Sequence, residues 1–153
     1  MIVVSDTTAI SNLITIGQEH WLHSLFGRVI IPPAVCTELL AWHRDLPDWI
    51  EVVTVWDADR IKHYRKSVHA GEAEAMCLAA EMKSDWLLLD DGDARRIAKA
   101  EGLPVLGLMG VLLMAKSKNL ITTVQPWMNR LQDEAGFFLT NKVRAEVLRL
   151  AGE

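Results

Sequence analysis

Acidic side chains recur at four points of this chain, each bordering an apolar run or opening a helical segment: Asp6, Glu38, Glu72 with Glu74, and Asp90-Asp91 with Asp93. Asp6 ends the run Ile2-Val3-Val4-Ser5, and Asp90 and Asp91 end Trp86-Leu87-Leu88-Leu89. Taken singly, most have a plain local role. Asp, Ser and Thr accept hydrogen bonds from the free amides that open a helix. The first-turn acids Glu72 and Glu74 are favoured by the helix dipole. Glu38 is harder to accommodate. At helical spacing from Ala34, Val35 and Trp42 it falls within an apolar stripe, where an ionised carboxylate is costly unless paired or bound to metal. The alternative turns it outward beside Thr37 and leaves Val35 and Leu39 as the buried face. Carboxylates from four segments cannot gather unneutralised. A hard divalent cation, Mg²⁺ or Mn²⁺, takes such oxygen ligands, lowers the pKa of a bound water and clamps the oxygens of a transferring phosphate. The chemistry implied is metal-dependent phosphodiester cleavage.

Those acids need a scaffold that delivers separate segments to one edge. Short apolar runs predict strands over 2–5, 28–31, 51–55, 86–89 and 103–106. Helices are expected from Thr7 or Thr8 to Gly17, and over 19–26, 33–42, 57–67, 72–82, 94–101, 107–115, 124–133 and 141–150. Pro33 suits a first helical turn, and Gly17 and Gly102 are natural stops. Strands alternating with helices predict an α/β fold with a mainly parallel sheet. In such sheets ligands bind at the carboxyl ends of the strands, which is where Asp6, Asp90 and Asp91 stand. With no break in composition and no internal repeat, residues 1–153 are expected to form a single domain.

Its 153 residues match one ordinary domain. Half the residues are apolar and about a quarter charged, which excludes disordered and fibrous classes. The longest apolar stretch, Leu103 to Ala115, is interrupted by two glycines and a proline and falls short of the ~20 residues of a membrane span. No basic n-region of a signal peptide precedes Asp6, and Cys36 and Cys77 lack the spacing of a zinc or redox pair. A cytoplasmic protein with reduced thiols is expected. Twenty acids against sixteen Lys and Arg give a net charge of −4, so no bulk basic field attracts nucleic acid. Contact with nucleic acid would need a local patch, and the segment carrying Arg60, Lys62, His63, Arg65, Lys66 and His69 is the best candidate. A solvated helix face or an acidic protein partner explains it equally well. Arg95 and Arg96 follow the acidic turn and could reach phosphate or simply be solvated. The six tryptophans are expected in the core or at interfaces more than in base stacking.

The ordered set of segments resembles the PIN-domain nucleases, the family that includes the VapC toxins. The matching stretches are Ile2-Val3-Val4-Ser5-Asp6-Thr7-Thr8-Ala9-Ile10, Ile31-Pro32-Pro33-Ala34-Val35-Cys36-Thr37-Glu38-Leu39 and Gly71-Glu72-Ala73-Glu74-Ala75-Met76-Cys77-Leu78-Ala79. Leu87-Leu88-Leu89-Asp90-Asp91-Gly92-Asp93-Ala94-Arg95-Arg96 and Gly107-Leu108-Met109-Gly110-Val111-Leu112 complete them, so that the likeness covers roughly residues 1–120. It is closest to a prokaryotic subgroup with Gly-Glu in the third motif and Asp-Asp-x-x-Ala-Arg in the fourth.

The resemblance implies a PIN-like α/β/α sandwich and an Mg²⁺- or Mn²⁺-dependent endoribonuclease acting on single-stranded RNA. Asp6, Glu38, Glu72 and Asp91 would be its catalytic acids, with Asp90 a further ligand of the subgroup. The third acid of VapC toxins is usually Asp; here Glu72 fits the Gly-Glu of the subgroup and is preferred, while Glu74 fits the register of the alanines. Asp93 reads as a turn or cap residue. Ser5, Thr7 and Thr8 would hydrogen-bond metal waters or the ligand carboxylates. The same likeness suggests the toxin of a toxin–antitoxin pair, an antitoxin partner and a homodimer. The main alternative is a PIN-like module that binds RNA or protein without cleaving. A phospho-receiver would need a Lys after Leu103–Leu106, and a Toprim-type enzyme a Glu in place of Asp6; neither is present.

Overall fold

In the computed structural model, which describes residues 1–153, the apolar runs become β1 (Val3–Ser5), β2 (Val29–Ile31), β3 (Ile50–Val52), β4 (Trp86–Leu88) and β5 (Val105–Leu106). All pair in parallel, in the order β3-β2-β1-β4-β5. Parallel strands need helical crossovers, which cover both faces of the sheet. The two-residue alternation along each strand sorts the apolar residues between those faces.

Val3, Val29, Ile31 and Leu88 point into one core, shared with α1 (Thr7–Thr15), α2 (His20–Phe26), α7 (Leu108–Ser117), α8 (Gln125–Ala135) and α9 (Asn141–Ala151). Val4, Ile30, Leu87 and Leu89 point into the other, shared with α4 (Ala58–Tyr64), α5 (Ala70–Met82) and α6 (Gly92–Ala100). The remaining helix, α3 (Pro33–Trp42), buries Val35 and Leu39 in the first core and packs against both α1 and α5. Five strands between two helical layers make the α/β/α sandwich expected from the alternation.

Several boundaries differ from the sequence expectation. Strand β3 ends at Val52 rather than Val55. It is an edge strand whose last bond runs from the Val53 amide to Ile31 (3.0 Å), after which the Trp56 and Asp57 amides turn to the Glu81 carboxylate (2.9 and 2.8 Å). Strand β5 starts late because Pro104 has no amide to donate, although its carbonyl accepts from Leu87 at 2.8 Å. Helix α4 closes at Tyr64, not Ser67: the Ser67 and Val68 amides fold back onto the Tyr64 carbonyl (2.9 and 3.0 Å) and bury both Tyr64 and Val68. Helix α5 begins at Ala70, ahead of the expected Glu72, which places Gly71 inside its first turn. No helix is long and apolar enough to cross a membrane. Both cysteines are free, and burial pushes the Cys77 thiol up to about 12, which leaves it unreactive.

Candidate active site

From β1 the chain winds outward to β2 and β3, then crosses back to β4 and β5, so the direction of winding reverses between β1 and β4. The carboxyl ends beside such a reversal form a crevice into which no crossover helix intrudes. Asp6 and Asp90 flank it. The Asp6 amide extends the ladder by donating to the Leu88 carbonyl at 3.0 Å. Its carboxylate caps α1, Oδ1 accepting from the Thr8 amide at 3.1 Å. The residue is only 2 % exposed. Burial, then the charges of Asp90 and Glu72, hold its carboxyl well above the ordinary value of 3.8.

Asp90 lies just past β4. Its Oδ1 accepts from the Leu108 amide at the start of α7 (2.9 Å), while Oδ2 is buried with no hydrogen-bond partner. Burial raises its pKa, opposed by the Leu108 amide and the Arg95 guanidinium. Asp91 is exposed and caps α6, accepting from the Ala94 amide at 2.9 Å. Both local and metal-directed roles thus remain open to the same carboxylates, since a cap uses one oxygen and leaves the other. Asp93 stands apart, exposed, 3.9 Å from Arg96.

Helix α3 turns Val35 and Leu39 into the core and leaves Glu38 half-buried at their side. The Thr7 hydroxyl donates to Glu38 Oε2, tying α3 to the start of α1. Across from it, the first turn of α5 comes so close that a Cβ on Gly71 would sit 2.6 Å from Glu38 Oε2 and 2.7 Å from Oε1. The glycine is therefore required by the approach of a carboxylate. The next residue, Glu72, is half-buried and faces the same space. Burial raises its pKa, and the charges of Asp91 and Glu38 add to the rise while His69 opposes it. Glu74 takes another direction: its Oε1 accepts from the Ala34 amide at 3.2 Å, one of the unpaired donors at the start of α3. Ser5 is buried and its hydroxyl donates to the Asp6 carbonyl (2.8 Å) rather than to a carboxylate.

Asp6, Thr7, Thr8, Glu38, His69 and Glu72 together line a half-open cavity of about 310 Å³ with no apolar side chain in its wall. His69, which the sequence groups with the basic segment, sits in this wall and also borders a neighbouring hollow lined by Arg65, Lys66, Ser67 and Val68. Arg65, Lys66, Arg60 and Lys62 are exposed, and none forms an ion pair. Arg95 is half-buried and donates to the Leu89 carbonyl at 2.9 Å. No three acid, imidazole or thiol groups converge closely enough to chelate one ion with the side chains as they lie. Protein donors hold Glu38 and Asp91 instead. The donor chemistry nevertheless fits a hard divalent cation: the wall is almost wholly oxygen, its carboxylates raise one another's pKa, and one buried Asp90 oxygen has no partner.

No curated protein and no solved structure matches the chain. A family model described as a PIN domain matches residues 2–153. With that match running almost the whole length, and with a parallel sheet that gathers acids at its point of reversal, the chain belongs to the PIN-domain family.

Proposed function

We propose that this chain is a metal-dependent endoribonuclease that hydrolyses single-stranded RNA at the carboxylate cavity. PIN domains are generally nucleases, and one observation carries the reading to this chain. Asp6, Glu38 and Glu72, from three separate elements, line one apolar-free cavity, and the charges of Asp90 and Asp91 act on Asp6 and Glu72 in its wall. Asp6, Asp90 and Asp91, with Glu38 and Glu72, would hold Mg²⁺ or Mn²⁺. The chemistry such an ion supplies is a water acidified to act as nucleophile and neutralisation of charge on the phosphate.

The protein groups do the rest. Thr7 holds Oε2 of Glu38 and the Leu108 amide holds Oδ1 of Asp90, which leaves the other oxygen of each carboxylate for an ion. Glu72, half-buried in the cavity wall, would bring its Oε atoms from α5 to the same ion. His69, Arg65 and Lys66 at the mouth supply donors and positive charge for the flanking phosphates. Local cations of this kind matter in a chain whose net charge is −4, because they must offset its overall repulsion of RNA.

A VapC-like toxin role, with an antitoxin and a homodimer, is the finer form of this reading and rests on the motif resemblance. Trp42 and Trp56, at 81 % and 86 % exposure, supply apolar surface for such contacts. The test is incubation of purified protein with total RNA and Mn²⁺, against EDTA and against Asp6→Asn. Cleavage that requires both metal and Asp6 supports the proposal. Retained RNA binding without cleavage would favour a non-catalytic module, the reading that fits a centre where no three ligands yet converge.

A further inference from the structure

A second cavity borders Asp90, between β5, α7 and the loop that joins α8 to α9. It measures about 410 Å³ and is mostly apolar, its wall formed by Val105, Leu106, Met109, Phe137, Phe138 and Leu139. Its polar groups are Asp90 and Arg95. The glycines of the Gly107-Leu108-Met109-Gly110 stretch keep it open: a Cβ on Gly107 would lie 2.7 Å from the Arg95 guanidinium and 3.1 Å from Asp90 Oδ1. Phe137 and Leu139 pack onto the main core, and the Phe137 amide donates to the Leu131 carbonyl at 2.9 Å. Phe138, held between them, is 83 % exposed.

We propose that this cavity is a nucleobase subsite, seating the base of a nucleotide next to the phosphate engaged at the carboxylates; the inference rests on the nuclease reading. A nucleobase has two apolar faces and a polar edge, and the cavity offers an exposed aromatic ring with one guanidinium. Bases stack on such rings with little regard to sequence. Arg95 spends one terminal nitrogen on the Leu89 carbonyl and forms no ion pair, so its other N–H groups are free for acceptors on a base edge. Asp90 lines this cavity and lies two residues past Leu88, whose carbonyl accepts from the amide of Asp6 in the wall of the other, so a strand lying across Asp90 meets the carboxylates beyond Asp6 and the ring at Phe138. Beyond the carboxylates lies the hollow of Arg65, Lys66 and His69, which gives the strand a cationic exit.

The test is binding of a fluorescently labelled single-stranded RNA octamer to the Asp6→Asn protein, which keeps the strand intact. Phe138 is exposed, so Phe138→Ala leaves the core untouched, and Phe138→Trp preserves a stacking face. The expected result is a loss of about tenfold or more for Phe138→Ala, in the range of one base–aromatic stack, and near-normal binding for Phe138→Trp. Abasic substitution at a single position of the octamer should reproduce the loss and add nothing to Phe138→Ala, because the two changes remove one contact. Unchanged affinity of Phe138→Ala, or equal sensitivity to abasic sites at every position, would overturn the subsite. So would a monomer–dimer shift caused by Phe138→Ala, which would identify the face as a contact between copies, or displacement of the loss to an apolar peptide ligand. Tight, Phe138-dependent binding by a wild-type protein that never cleaves RNA would overturn the nuclease reading alone. Cleavage with a KM insensitive to Phe138→Ala would overturn the subsite alone.

Discussion

Replacing Gly71 by Ala separates the positioning of the site from the stability of the fold. The Cβ introduced would lie 2.6 Å from Glu38 Oε2, 2.7 Å from Oε1 and 3.0 Å from Cδ, and ordinary contact begins near 3.4 Å. The whole carboxyl group must therefore retreat by about 0.8 Å, which pulls it off the Thr7 hydroxyl. The retreat is cheap for the fold, because what moves is the far end of a flexible side chain. Gly71 lies in the first turn of α5 and its φ is not positive, so Ala suits its backbone and favours the helix by up to about 1 kcal/mol. Displacement of a reacting group by about 1 Å, however, costs on the order of 100-fold in rate. The expected outcome is a Tm equal to or above wild type. It should be accompanied by a fall of about 100-fold in Mn²⁺-dependent kcat/KM on a single-stranded oligonucleotide. Thermal melting and steady-state cleavage check the two halves. Full activity in Gly71→Ala would refute a role for Glu38 at this location, and a Tm lowered by several degrees would show that Gly71 serves packing instead.

Asp6, Glu72 and Asp90 all carry raised pKa values in the folded chain. Each binds its proton more tightly when folded, so each turns into a penalty as pH climbs from the ordinary carboxylate range, near 3.8 for Asp and 4.5 for Glu, through its raised value. Stability without divalent cation should therefore fall over that window, and Asp6→Asn, which keeps an N-cap acceptor, should flatten the fall and raise Tm at neutral pH while abolishing cleavage. Mn²⁺ should restore wild-type stability at neutral pH and do so less well on acidification, as protons compete for the carboxylates. Glu74→Ala should cost about 1 kcal/mol through loss of its bond to the Ala34 amide and leave kcat nearly intact, whereas Glu72→Gln should spare stability and depress kcat; urea melts and cleavage rates decide between the two acids. Arg65→Ala with Lys66→Ala should raise KM and reduce the salt dependence of RNA binding by about one or two counterions, measured from affinity between low and moderate salt.

The scaffold was largely legible in the sequence because four of the five strands lie in apolar runs that end at Asp6, Pro32, Asp90 and Gly107, and both faces of a parallel sheet need such runs. The departures have different causes: at β3 the Trp56 amide turns to Glu81, remote in sequence, whereas β5 starts late, after Pro104, which has no amide to donate, and α4 ends where the Ser67 and Val68 amides fold back onto Tyr64. Asp6 and Asp90 could be placed from strand ends alone. Glu72 and Glu74 could not be ranked by spacing. At about 100° per residue they point in widely different directions, and only the packing of α5 on α3 decides which one meets Glu38 and which meets the Ala34 amide. Nothing in the sequence marked Gly71 as the seat of a carboxylate or Phe138 as an exposed ring, since both depend on how close two non-adjacent segments come. The motif resemblance makes Asp91 the catalytic acid and Asp90 the extra one; in the fold Asp90 is half-buried with its charge acting on Asp6, while Asp91 is exposed at the cap of α6.

The most direct measurement is titration of the purified chain with Mn²⁺, followed by electron paramagnetic resonance of the free ion, for wild type, Asp6→Asn and Asp90→Asn. If the gathered acids form one divalent-cation centre, wild type withdraws Mn²⁺ from solution at a defined stoichiometry, and each substitution weakens binding by tenfold or more. Equal Mn²⁺ uptake by all three proteins, or none by wild type, would contradict it.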